Sequence, residues 1–286
     1  MSEPTAGALA LARHYAAIGQ PRRVLEALER AEPVDEPEFW ALRGEALYQV
    51  DRYEEGADAA RRGLELEPEN IVLLDVLALN LIELDELAGA EQALLSALGN
   101  WPDDPTLICH YALACASGGQ FDKAGRLVDR AARLEPESID VLRVRAQVAQ
   151  LSGDRKALRY IDELLAHDPD DRVGHALRGN VFVERSDIHR AVRHFEHATR
   201  LDLTDHETAY VTRYNRTLTH WSQWPLYPLQ RFGPFKVWGA YIVFFLAASA
   251  AGVVEYVWPV IVLYLLLVVY SWTIGPLSRW WLRRRL

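Results

Sequence analysis

Prolines fall at positions 68, 102 and 136, two intervals of 34 residues, and Pro169 follows after 33. A period of that length is too short for a domain, and it suits one supersecondary unit stacked on copies of itself. Cut to this period, the chain divides into units 5–36, 37–70, 71–104, 105–138, 139–171 and 172–205. The eighth position reads Ala12, Gly44, Ala78, Ala112, Ala146 and Gly179. With a one-residue deletion in the fifth unit, the twentieth reads Val24, Gly56, Ala90, Ala124, Ala157 and Ala191. The twenty-seventh reads Ala31, Gly63, Ala97, Ala131, Leu164 and Ala198. Larger side chains recur at the twenty-fourth: Leu28, Ala60, Leu94, Val128, Ile161 and Phe195. Antiparallel helices approach closely only where small side chains face each other, and a large neighbour then fills the gap. A proline after the second helix stops it and turns the chain into the next unit. No helix pair buries its apolar face alone, so several must stack.

The second unit, WALRGEALYQVDRYEEGADAARRGLELEP, places Trp40, Gly44, Tyr53 and Pro68 at the signature positions of the tetratricopeptide repeat (TPR), which the chain resembles over about residues 5–205. The third and fourth units share the small positions and closing prolines, whereas the first, fifth and sixth are degenerate, with Leu203 where the sixth should have proline. The resemblance implies an all-α, helix-turn-helix solenoid of about six repeats. The segment 206–220, HETAYVTRYNRTLTH, is expected to form a helix capping its last apolar edge. It also implies that each unit's first helix lines a concave groove. The groove positions hold Glu38, Ala41, Glu45 and Tyr48; Val72, Asp75, Leu79 and Ile82; Thr106, Cys109, Leu113 and Ala116; Asp140, Arg143, Gln147 and Gln150; Val173, Ala176, Asn180 and Val183. Some members of the family clamp a partner's C-terminal carboxylate with Lys and Asn at these positions. Here lysines are absent, and only Arg143 and Asn180 imitate part of such a clamp. The candidate partner site is Tyr48, Asp75, Leu79, Ile82, Leu113, Arg143, Gln147 and Asn180, an apolar floor with polar flanks suited to a helix or extended peptide with apolar anchors. The bland alternative is that Leu79, Ile82 and Leu113 simply pack on neighbouring helices.

Constellations for chemistry are lacking. The sequence has no glycine-rich phosphate loop and no CxxC pair. His194 and His197 share a helix face, with His189 and His206 nearby, but no acid or cysteine at helical spacing completes a metal shell, so they are expected on solvated surface. The acids Glu65, Glu67 and Glu69, and the Pro-Asp-Asp triplets at 102–104 and 169–171, are expected at repeat turns, capping the helix that follows. Cys109 and Cys115, six residues apart, would point to different faces and read as buried, reduced thiols. No catalytic residue, cofactor or metal is expected, and no enzyme.

The last quarter is written for another solvent. From Val237 to Ile274 run 38 residues in which Glu255 is the one charge. As a single helix they would extend about 57 Å, against a hydrocarbon core of about 30 Å. Division at 253–258 gives two spans, about 237–254 and 257–274, with Glu255 in the connecting turn and Pro259 in the first turn of the second helix. Trp238 and Tyr241 stand at the entrance, Trp258 at the turn, and Trp272, Trp280 and Trp281 at the exit, as an interfacial belt requires. Arg231 and Lys236 precede the hairpin, and Arg279 with Arg283, Arg284 and Arg285 follow it, which sets both termini in the cytoplasm. The expected organisation is a solenoid with cap over 1–220, an aromatic and proline-rich interfacial linker over 221–234, a transmembrane hairpin over 235–275 and a basic cytoplasmic tail over 276–286. A shallow re-entrant hairpin and one buried in the soluble body are the rivals. Ala247, Ala248, Ala251 and Gly252 permit close packing, within the hairpin or on another membrane protein.

Charge follows the same division. Residues from Trp221 onward carry a net +5 and the first 220 carry −14. An acidic body repels phosphates and argues against nucleic acid as partner; a basic apolar tail suits an anionic leaflet. The N-terminus lacks the basic region of a signal peptide, so the body is expected to stay where it is made. High Ala, Arg, Leu and Glu usage points to a bacterial source. These readings converge on a scaffold or adaptor anchored in the cell's inner (cytoplasmic) membrane, with help in assembling a membrane complex as one role open to it. Its partners are a protein in the groove, a membrane protein against the hairpin, and the lipid bilayer. The alternative is an accessory structural subunit of an integral membrane enzyme or transporter.

Overall fold

The 34-residue units are helix pairs. The structure is a computed structural model that describes residues 3–29 and 35–201, with Val211, Thr212 and a few positions between 236 and 249. The first unit pairs α1 (Glu3–Ala17) with α2 (Pro21–Glu29), the second α3 (Pro37–Gln49) with α4 (Tyr53–Leu66), and the third α5 (Ile71–Glu83) with α6 (Leu87–Asn100). Then follow α7 (Pro105–Ser117) with α8 (Phe121–Leu134), α9 (Ile139–Leu151) with α10 (Ala157–His167), and α11 (Arg172–Glu184) with α12 (Ile188–Leu201). No strand occurs among the described residues. Helices α1–α10 belong to one compact unit, Met1–Pro169, and α11–α12 to a second, Asp170–Leu286.

The small positions are where the helices meet. Ala12, Ala78, Ala112 and Ala146 are fully buried at the eighth position, and Ala90, Ala124 and Ala191 at the twentieth. At the twenty-fourth, Leu28, Leu94, Val128, Ile161 and Phe195 are buried beside them. Phe195 lies on Gly179, a large side chain filling the space a small one leaves. The deletion in the fifth unit is absorbed by α10, which starts late, at Ala157, after a five-residue turn; the other first-to-second-helix turns have three residues.

Those turns share a device the apolar pattern does not reveal. In all six, the fifteenth position is left-handed: Gly19, Asp51, Asp85, Gly119, Gly153 and Ser186, with φ between 60° and 73°. Each such residue donates its N–H three residues back, as Asp51 does to Tyr48, and its successor donates five residues back, as Arg52 does to Leu47. This Schellman arrangement satisfies the carbonyls left open at a helix end. Glycine adopts the conformation freely, and aspartate tolerates it better than most residues.

The acidic turns are only partly as expected. Asp104 and Asp171 do cap α7 and α11, accepting from the N–H groups of Leu107 and Gly174. At α5 the cap is Asn70, whose Oδ1 accepts from Val72 and Leu73, each at 3.1 Å. Among the three glutamates before it, Glu67 holds the cap in place, accepting from the Asn70 amide at 2.7 Å. An amide outcompetes those carboxylates because it occupies the one residue whose backbone is extended at the helix entrance. Asn70→Ala is expected to cost about 1 kcal/mol, read as a lower urea midpoint by far-UV circular dichroism, while Glu69→Ala should cost little.

Cys109 and Cys115 are buried free thiols, as expected. Of the expected capping helix, only Val211 and Thr212 are described; both are helical, and the Thr212 hydroxyl lies 2.9 Å from that of Thr199 on α12. Residues 250–286 lie outside the described residues, and with them most of the expected hairpin and the whole basic tail.

Candidate functional site

Within the N-terminal unit, successive first helices pack on one another: α1 on α3, α3 on α5, α5 on α7 and α7 on α9. Each second helix instead packs on the first helices that flank it. The first helices therefore form the inner wall, and the side chains they turn away from the second helices face a groove.

That wall holds seven of the eight expected groove residues. Tyr48 on α3, Asp75, Leu79 and Ile82 on α5, Leu113 on α7, and Arg143 and Gln147 on α9 are all half-buried. Val72, at the mouth of α5, is 52% exposed, an unusual degree for a valine on a packed helix. Ala41, Cys109 and Ala116 are buried and belong to the floor. Burial pushes the Cys109 thiol up to about 12, so it is inert as a nucleophile. Asn180 is exposed and lies in the C-terminal unit. Arg143 pairs with Asp140, one turn away on its own helix.

The groove has an acidic end. Glu45, Tyr48, Asp75 and Glu83 gather there with Asp51 from the adjoining turn. Asp75 Oδ1 sits 2.6 Å from Nδ1 of His110, which reaches across from α7. Desolvation, with the neighbouring charge of Asp75, holds the Glu45 carboxyl above the ordinary range. Burial first, then Glu83, Asp51 and Asp75, pushes the Tyr48 hydroxyl up to about 12. Such crowding of like charge costs stability, and a cation bound among these groups relieves that cost. Glu45→Gln should therefore raise the urea midpoint at neutral pH. The sign follows from linkage: a raised acid is penalised when ionised, so wild type gains as pH falls through the Glu45 range. The two midpoints should converge on acidification, which paired unfolding curves would check.

The C-terminal unit departs from one expectation. His194 is not on solvated surface. It is half-buried, its ring stacked on His175 from α11 (centroids 5.7 Å) and on Phe182 (5.5 Å). Burial first, with Arg178 and the neighbouring His175, pushes it down to about 4. The ring packs inward because α11 offers it an aromatic face rather than water. Among the described residues, no three or more His, Cys, Asp or Glu side chains converge as a metal cage.

The anchor residues Trp238, Tyr241, Trp258, Trp272, Trp280, Trp281, Arg283, Arg284 and Arg285 lie outside the described residues. Positions 242–244, 246, 247 and 249 between them are helical. Among the described residues no helix is long and apolar enough to cross a membrane.

Residues 9–71 and 76–139 match the sequence profile of the tetratricopeptide repeat family. The fold is similar to that of a thermophilic TPR protein from Thermus thermophilus, with TM-score 0.58 at 17% identity over 63% of this chain and 98% of that one. It is also similar to human IFIT1, seen as a dimer with m7Gppp-AAAA, with TM-score 0.56 at 20% identity over 72% of this chain and 54% of that one. At such identities the likeness is one of fold. No curated protein matches the sequence. Over residues 9–71 and 76–139 the sequence is similar to tetratricopeptide repeats, and proteins built from such repeats are generally protein-interaction scaffolds.

Proposed function

We propose that the chain is a non-catalytic scaffold anchored in the inner membrane. Its N-terminal repeats hold a protein segment in the first-helix groove, and residues 237–274 insert as a hairpin with both ends in the cytoplasm. The observation that carries the anchor is the exposure of Ile242 (43%), Val243 (67%), Phe244 (50%) and Leu246 (61%). These are helical positions, and at 100° per residue they spread over about 200° of the helix circumference, wider than the single apolar face of a water-soluble helix. A helix in water keeps a polar stripe and buries its apolar one. This stretch does neither, and lipid is the solvent that such a surface fits.

The groove partner follows from its lining. Leu79, Ile82 and Leu113 offer apolar contacts beside Glu45, Asp75 and Glu83, which favours a segment with aliphatic anchors and a Lys or Arg. Full-length protein in its native membrane is expected to resist alkaline carbonate and high salt and to yield only to detergent. Release by carbonate would overturn the anchor. Proteins co-purifying in mild detergent should be lost from the Leu79→Asp, Ile82→Asp variant. An unchanged set would remove the groove from the proposal, and a set of constant stoichiometry would favour a dedicated subunit over an adaptor.

A further inference from the structure

We propose that His175 and His194 chelate a late divalent transition metal of the zinc and nickel class, stapling α11 to α12. The two Nδ1 atoms lie 3.4 Å apart and face one another closely enough to share a proton. Two nitrogens bound at 2.0–2.1 Å to one tetrahedral metal stand about 3.3 Å apart, so an ion enters with little movement of either ring. Chelation requires both neutral imidazoles to carry their hydrogen on Nε2, a tautomer shift that releases no proton.

The surroundings fix the class of metal. Arg178 and Arg193 bear on His194 and oppose any cation held by charge alone. Asp170 lies 3.7 Å from Nε2 of His197, whose ring centroid lies 4.1 Å from that of His175. Calcium and magnesium seek several oxygens, whereas the two atoms that face each other here are nitrogens. Metals that prefer imidazole suit that pair, with water in the remaining positions. The bond joins two helices, so the metal binds the folded pair and not the unfolded chain, and stability rises with its concentration.

The test uses full-length protein in detergent, purified through a tag without histidine and stripped with chelator. Zn2+ and Ni2+ should raise the thermal midpoint with saturation near one equivalent, Mg2+ and Ca2+ should not, and Co2+ should develop visible d–d absorption. His194→Gln and His175→Gln should each abolish the shift and the absorption, while His189→Gln, an exposed histidine of α12, should keep both. Absence of saturable Zn2+ binding, or binding that survives both substitutions, overturns the proposal. Should a glutamine variant fail to fold, Co2+ absorption in the wild type and its persistence in His189→Gln decide the matter.

Discussion

Gly63→Val is expected to lower stability by about 2–3 kcal/mol. Gly63 lies on α4 where that helix touches both α3 and α5. A Cβ there would stand 2.5 Å and 2.7 Å from the two methyls of Leu73 and 3.0 Å from Cβ of Trp40. Leu73 is fully buried and Trp40 is 8% exposed, so neither has room to withdraw. The equivalent positions Ala97 and Ala131 carry a Cβ and stay buried, which makes the demand for glycine particular to this junction. Gly63→Ala should also destabilise, but by less, because about 1 kcal/mol of helix propensity offsets part of the clash its Cβ already makes. Valine adds two methyls and a stiff χ1 on top of that. Urea unfolding of the three proteins tests the ranking. Leu73→Ala added to Gly63→Val should cost less than the two changes summed, since the smaller residue frees the space the valine needs.

The same junction shows what a linear reading reaches. A period is visible wherever an identical packing demand recurs, so the small positions and the large one between them were found from residue types alone, and they are the buried seams of the helix pairs. The left-handed fifteenth position recurs as faithfully, yet it is filled by Gly, Asp or Ser. Those types share a backbone property rather than size or polarity, and a pattern sought in apolar residues passes over it. Gly19, Gly119 and Gly153 in register were the available signal. The stacking of first helices follows the period for a related reason. A residue on one first helix neighbours the residue about 34 further on, and His110 stands 35 after Asp75, whose partner it is. The contact of His175 with His194 was hidden, because it joins antiparallel helices 19 residues apart, a separation set by turn length and not by the period. Spacing along one helix suggested only His194 with His197 on a wet face.

Lysines at Phe244 and Leu246 should expel the chain from the bilayer. Both positions lie at the middle of 237–254, where an inserted helix passes the centre of the hydrocarbon. Each lysine costs roughly 2.5–3.5 kcal/mol there on insertion scales, so the pair costs about 5–7 kcal/mol. That is about four to five powers of ten in partitioning. The double variant should appear in the carbonate supernatant or aggregate, where wild type stays with the membrane. Val237→Lys, at the entrance beside Lys236, should have almost no effect, because a lysine near a helix end reaches the headgroups with its ammonium. Depth dependence separates the possible surroundings of this helix. In a hairpin lying shallow in the interface, all three lysines would snorkel and the double variant would keep its carbonate resistance. In a hairpin packed within the soluble body, the double variant would unfold that body, and wild type would never have needed detergent. Only a spanning helix makes the central pair intolerable and the outer one harmless, with the helical repeats unchanged by circular dichroism in both.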